Sequence, residues 1–262
     1  MWRHSDAPVG MAADAGANGI SRRVVVTGGA KGIGLAIVQG FVDLGDDVMA
    51  LGRDREALEQ LQGVRTHVCD VTDEEQVLRT FTDVGTVDVL VNNAGVAESA
   101  PLHRTSLASW LAHFDVNVTG PFLCMRVVVP GMRERGRGVI VTVASTAGRI
   151  GVPYTTAYTS SKHAAVGLTR AVAAELAGTG VRVNAVCPTF VRTDLTASSI
   201  AQIVEATGRS EAQATEALTG QSPLQRLLEP REVADAVTFL ASDAAAAING
   251  QALVIDGGGI QA

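Results

Sequence analysis

Tyr158 and Lys162 stand four residues apart, which places a phenol and an amine on one face of a helix. A free tyrosine ionises near pH ~10, so to exchange protons with an alcohol near neutrality it needs a positive charge beside it. Lys162 supplies one. The chain has only 2 tyrosines, and the other, Tyr154, is followed four residues on by Tyr158, not by a lysine. Thirteen residues before Tyr158, Ser145 closes a β-branched run, Val139 to Val143, where a strand would end. A hydroxyl at the carboxyl edge of a parallel sheet faces the ligand crevice and could orient a substrate carbonyl. His163 falls about 100° away from Lys162 on the helix and is read as peripheral. His103 and His113 lack a third ligand, so no metal site is expected.

A second constellation is the run Thr27-Gly28-Gly29-Ala30-Lys31-Gly32-Ile33-Gly34. Pyrophosphate binds backbone N–H groups at a helix N-terminus, and side chains there would obstruct it. Gly28 suits the tight turn, Gly32 the close approach and Gly34 close helix–strand packing, with Lys31 adding positive charge. The second strand ends Ala50-Leu51-Gly52-Arg53-Asp54. An acid at that end would hold a ribose 2′-hydroxyl, and a base would accept a 2′-phosphate. With Gly52 at the acid's place and Arg53 beyond it, NADP(H) is favoured and NAD(H) is the alternative. A register shift of two would make Asp54 the acid and reverse the preference.

The elements that must position these groups alternate. Val24–Thr27, Asp47–Gly52, Val64–Cys69, Val87–Val91, Gly138–Ala144, Val181–Cys187 and Ala252–Ile255 read as strands. Gly32–Leu44, Arg55–Leu61, Asp73–Val84, Ser106–Met132 and Thr156–Ala177 read as helices. Continuous apolar strands between amphipathic helices predict a parallel sheet covered on both faces, in one doubly wound α/β domain of about seven strands over residues 22–262. Residues 194–228 break the rhythm, reading as two short helices placed to form a substrate lid, with a static surface insertion as the alternative. Residues 1–21 read as a flexible extension.

Composition bounds the partners. With 47% hydrophobic residues and a formal charge of −6, a basic nucleic-acid face is not expected. No run is long and apolar enough to predict a membrane span. Cys69, Cys124 and Cys187 form no CxxC pair and are read as buried free thiols of a cytoplasmic protein.

Taken together, Thr27–Gly34, Asp70-Val71, Asn92-Asn93-Ala94-Gly95, Asn117, Ser145, Tyr158 and Lys162 resemble the short-chain dehydrogenase/reductase family from Arg23 to Gly259. The resemblance implies a Rossmann-like fold and hydride transfer with NAD(P) between a ketone and a secondary alcohol. It implies that Tyr158 is the general acid or base, that Lys162 lowers its pKa and holds the nicotinamide ribose, and that Ser145 orients the substrate. Asn117 resembles an asparagine that interrupts its helix and holds a water leading protons toward the lysine. Asp70 and Val71 resemble adenine contacts. Asn92, Ala94 and Gly95 resemble the turn flanking the adenosine ribose. Pro188, Val191 and Thr193 resemble the segment beside the nicotinamide carboxamide. Where the family has Pro-Gly, this chain has Pro188-Thr189, and a β-branched residue disfavours positive φ. The stretches from Ala144 to Pro188 and from Ile203 to Gly259 are similar to ketoacyl reductases and to 3-hydroxybutyrate dehydrogenases respectively, implying a 3-oxo or 3-hydroxy acyl substrate. The resemblance also implies a homotetramer. A non-catalytic nucleotide-sensing regulator is the alternative class, and the intact Ser145, Tyr158, Lys162 and Asn117 speak against it.

Overall fold

The computed structural model describes residues 21–220 and 222–261. The expected N-terminal extension, apart from Ser21, lies outside the described residues. Seven strands form one parallel sheet: β1 (Arg23–Thr27), β2 (Asp47–Gly52), β3 (Arg65–Val68), β4 (Val89–Asn92), β5 (Gly138–Val143), β6 (Val181–Pro188) and β7 (Ala252–Ile255), in the order β3-β2-β1-β4-β5-β6-β7. Side chains alternate across a strand, so each strand feeds two cores. Val24 and Val26 pack on one face with Ile37 and Phe41 of α1 (Gly32–Asp43) and Val233 and Val237 of α9 (Pro230–Ala241). Val25, Leu90, Ile140 and Val183 pack on the other with Phe81 of α3 (Glu74–Val84) and Val128 and Met132 of α5 (Gly120–Glu134). Helix α6 (Thr156–Glu175) adds Ala173 to that second core. The short α2 (Arg55–Glu59) lies between β2 and β3.

Two features depart from the sequence reading. Helix α9 is an element that the reading left unassigned. Its start was nonetheless written in the chain: Pro230 occupies the first turn, and the Glu232 carboxylate accepts the Glu229 N–H at 2.8 Å. The expected helix from Ser106 to Met132 is two helices, α4 (Leu107–Phe114) and α5, joined by a π-helical turn at Asp115–Thr119. Asn117 sits in the middle of that turn. The insertion does carry two helices, α7 (Asp194–Thr207) and α8 (Glu211–Thr219). They pack on each other through Ile200, Ala214 and Leu218 in a small cluster of their own.

Candidate active site

The chain runs from β1 outward in both directions, to β2 on one side and to β4 on the other, so the sheet order reverses between β1 and β4. A crevice opens outside the carboxyl ends of strands at such a point. The loop after β1 enters it. Gly28 has φ of +65°, and a Cβ on Gly34 would stand 2.0 Å from the Gly28 carbonyl oxygen, so no side chain fits at either position. Lys31 makes no side-chain cap for α1, which leaves the first-turn N–H groups of the helix without a side-chain acceptor. A cleft of about 160 Å³ adjoins this loop, and Gly28, Arg53, Asp70, Val71, Ala94 and Gly95 line it together. A glycine cradle, bare helix N–H groups and a lateral cleft fit a dinucleotide.

Several assignments shift by a residue or change partner. Asn92 does not reach the cleft. Its side chain is buried at the end of β4, and neither amide atom has a partner. Its neighbour Asn93 does the work at the loop: Nδ2 donates to the carbonyls of Thr27 and Gly28, both at 3.0 Å, and the Thr27 hydroxyl accepts the N–H groups of Asn93 and Ala94. Asn93 carries no role of its own in the sequence reading. A strand-ending threonine facing an Asn-Asn doublet was the available signal. Arg53 follows the last residue of β2 and lies exposed 3.7 Å from Asp70, while Lys31 pairs with Asp54 at 2.6 Å. Asp54 is also the cap of α2, accepting the Ala57 N–H.

At the other side of the crevice, Ser145 follows β5 and its hydroxyl accepts the Ala147 N–H at 3.1 Å. The same hydroxyl faces the Tyr158 phenol, near enough to favour its ionised form. Lys162 lies one turn along α6, 5% exposed, with Nζ donating to the Val143 carbonyl at 3.0 Å and standing 5.7 Å from the Tyr158 ring centroid. Burial lowers the Lys162 ammonium to about 8. Burial raises the Tyr158 phenol, and the Ser145 hydroxyl offsets part of that rise. The phenol therefore rests in its protonated form, the state that donates to a carbonyl oxygen. Helix α6 can approach this closely because residue 148 is glycine: a Cβ there would come within 2.7 Å of the Lys162 carbonyl oxygen.

Asn117 braces the same region. Oδ1 accepts the Val96 N–H, and Nδ2 donates to the Val96 carbonyl and to the Ser161 hydroxyl, which in turn donates to the Tyr158 carbonyl. Every polar atom of the amide is thereby used. Ser161, absent from the sequence reading, links the π turn to the tyrosine helix.

Beyond β6, Thr189 donates its N–H to the Ile255 carbonyl, and Val191 is buried and paired with Leu228. Among the described residues the non-glycine positions with positive φ are Tyr154 and Gln225, so the conflict expected at Thr189 does not arise. Thr193 caps α7, and its Cγ2 lies 3.1 Å from where a Cβ on Gly32 would be. The start of the insertion thus touches the phosphate loop.

Residues 28–259 match the family model described as enoyl-(acyl carrier protein) reductase. The chain belongs to the short-chain dehydrogenase/reductase family. It is an oxidoreductase of that family, acting on CH–OH groups. It is 38% identical to the 2-(R)-hydroxypropyl-CoM dehydrogenase of Xanthobacter autotrophicus, over 91% of this chain and 98% of the relative. It is 40% identical to the granaticin polyketide synthase putative ketoacyl reductase 1 of Streptomyces violaceoruber, over 89% of this chain and 91% of the relative. The crystal structure of a single-substitution variant of actinorhodin polyketide ketoreductase with NADPH superposes with a TM-score of 0.85 at 36% identity, covering 91% of this chain and 97% of that one. No helix among the described residues is long and apolar enough to cross a membrane.

Proposed function

We propose that this short-chain dehydrogenase/reductase reduces a 3-oxo acyl substrate to the 3-hydroxy product, reversibly, with NADP(H) favoured over NAD(H). The observation that carries the reading is the buried Lys162 ammonium 5.7 Å from the Tyr158 ring centroid, with the buried Ser145 hydroxyl facing the phenol. When bound, the nicotinamide supplies or accepts the hydride. Ser145 holds the carbonyl oxygen, and Tyr158 Oη donates its proton to that oxygen as charge develops there. The Lys162 ammonium stabilises the phenolate left behind. Both amide protons of Asn117 are taken by Val96 and Ser161, and a water relaying protons to Lys162 would rest on the main chain of the π turn, where the hydrogen-bond ladder is interrupted.

The acyl class rests on similarity to proteins named as ketoacyl reductases, including the 3-oxoacyl-[acyl-carrier-protein] reductase of Thermotoga maritima at 37% identity. A small secondary-alcohol dehydrogenase is the second reading, favoured by the similarity to 2-(R)-hydroxypropyl-CoM dehydrogenase over nearly its whole length. For the nucleotide, Asp54 is engaged by Lys31 and by α2, while exposed Arg53 borders the cleft with one distant carboxylate partner. The insertion carrying α7 and α8 is the proposed lid. A homotetramer and a cytoplasmic location complete the proposal.

The deciding experiment follows NADPH and NADH oxidation with a panel of 3-oxoacyl thioesters and small ketones, beside a titration of each nucleotide. Turnover of the thioesters with NADPH is expected. Activity confined to small ketones would transfer the case to the second reading, and tighter binding of NADH would overturn the role of Arg53.

A further inference from the structure

His113 is buried to 2% exposure in the last turn of α4, away from any role in the chemistry described above. Both ring nitrogens are engaged. Nδ1 lies 2.7 Å from the Ser109 carbonyl oxygen, and Nε2 lies 3.0 Å from the Glu98 backbone nitrogen. A carbonyl can only accept and a backbone N–H can only donate. The two partners therefore fix one form of the ring: neutral, with the proton on Nδ1 and the lone pair of Nε2 accepting the Glu98 N–H. On its other side the imidazole meets Tyr158 edge-on, ring centroids 6.3 Å apart and planes at 73°.

The segment that His113 grips is a wall that runs from the cleft to the chain just before α6. Gly95 and Val96 line the cleft, and the chain then passes Glu98 and reaches Ala100, whose N–H donates to the Tyr154 carbonyl at 2.8 Å. Three residues spaced by four hold this wall from the α4 side. Ser109 donates to the Glu98 carboxylate at 2.5 Å, His113 accepts the Glu98 N–H, and Asn117 clasps both polar groups of the Val96 backbone. Of the three, His113 also packs edge-on against the Tyr158 ring. Its removal would leave a donor at Glu98 without its acceptor and a gap beside the phenol.

We propose that His113 is a positioning residue, a neutral imidazole that sets the wall at residues 96–100 against Tyr158 and so fixes where the carbonyl lies relative to the phenol. The proposal rests on the assignment of Tyr158 as the proton donor. Small misplacements at a reacting centre are costly, on the order of 10²-fold for 1 Å.

The test compares His113→Leu with His113→Gln, whose amide oxygen can take the place of Nε2 as acceptor. For the leucine variant, kcat/KM for the carbonyl substrate falls on the order of tenfold or more while nucleotide affinity stays within about twofold, and glutamine restores most of the loss. Two measurements do not depend on turnover. Imidazole ¹⁵N spectra of the parent show a protonated Nδ1 and a bare Nε2. Hydrogen exchange over residues 96–100 speeds up in His113→Leu and stays slow in His113→Gln. A protonated Nε2, or unchanged exchange in the leucine variant, overturns the proposal, as does a kcat/KM that stays near the parent's. Should Tyr158→Phe keep full turnover, the reading of Tyr158 fails instead, and the spectra and exchange still decide whether His113 holds the wall.

Discussion

The phenol of Tyr158 is poised by two opposed effects. Burial holds its proton on, and the Ser145 hydroxyl eases it off. A proton donor in a reduction benefits from the first and a base in an oxidation from the second, so the one phenol can serve both directions. Replacing Tyr158 by Phe keeps the ring against His113 and removes the hydroxyl that carries the transferable proton. We expect kcat to fall by on the order of 10²–10⁴-fold with nucleotide binding intact, measured by steady-state turnover beside nucleotide titration. Loss of binding with the activity would mean the variant had disturbed the cleft instead. At this scale the sequence spoke clearly for Tyr158, Lys162 and Ser145, because type and spacing alone carry a chemical argument. It gave no role to Asn93 or Ser161, and it weighed His113 only as a metal ligand. Their importance lies in which groups they reach in space, often across 44 to 66 residues of chain, as with Asn117 to Ser161 and Asn93 to Thr27.

At the scale of elements, the glycine loop works by letting α1 seat directly on the turn after β1. A methyl group at Gly34 would collide with backbone, since the nearest atom is the Gly28 carbonyl oxygen at 2.0 Å. Gly34→Ala is therefore expected to destabilise the fold by about 1–3 kcal/mol and to weaken both nucleotides together, read by thermal melting and titration. Gly167→Ala in α6 is the contrasting case. Nothing lies within 4 Å of the added methyl, and the substitution should stabilise by about 1 kcal/mol. If Gly34→Ala melts and binds like the parent, close packing at the loop is not what the glycine provides. The strands and their alternation with helices were legible because apolar runs and helical periods are local signals. The interruption at the π turn was legible only through the family resemblance at Asn117, since Val116-Asn117-Val118 has no local cue to distinguish it from a helix. Helix α9 went unread although its capping residues were present, because its apolar positions Val233, Val237 and Leu240 follow directly on the irregular stretch that closes the insertion.

Across the whole molecule, the site carries a cost in stability that can be measured. Lys162 is buried without a carboxylate partner among its described contacts, and its pKa falls from about 10.5 to about 8. Holding it charged at neutral pH costs the fold on the order of 3 kcal/mol. Lys162→Met fills similar space without the charge. Below pH 8 the parent bears the full cost, so the variant should melt higher by a few degrees while losing activity, even after forfeiting the hydrogen bond to Val143. Between about pH 8 and 10.5 the unfolded lysine still binds its proton and the folded one does not. The parent then gains stability with rising pH, and the variant's advantage shrinks toward zero. Tyr158 and Cys187, whose pKa values burial raises, push the other way in this range; both proteins contain them, and what does not cancel between the melting curves is the part of their shifts that the Lys162 charge itself causes. Paired thermal melts of parent and variant from about pH 7 to 10 measure that difference. A variant less stable than the parent near pH ~7, or a gap that does not change with pH, would show that Lys162 sits in the fold without the desolvation cost its burial implies.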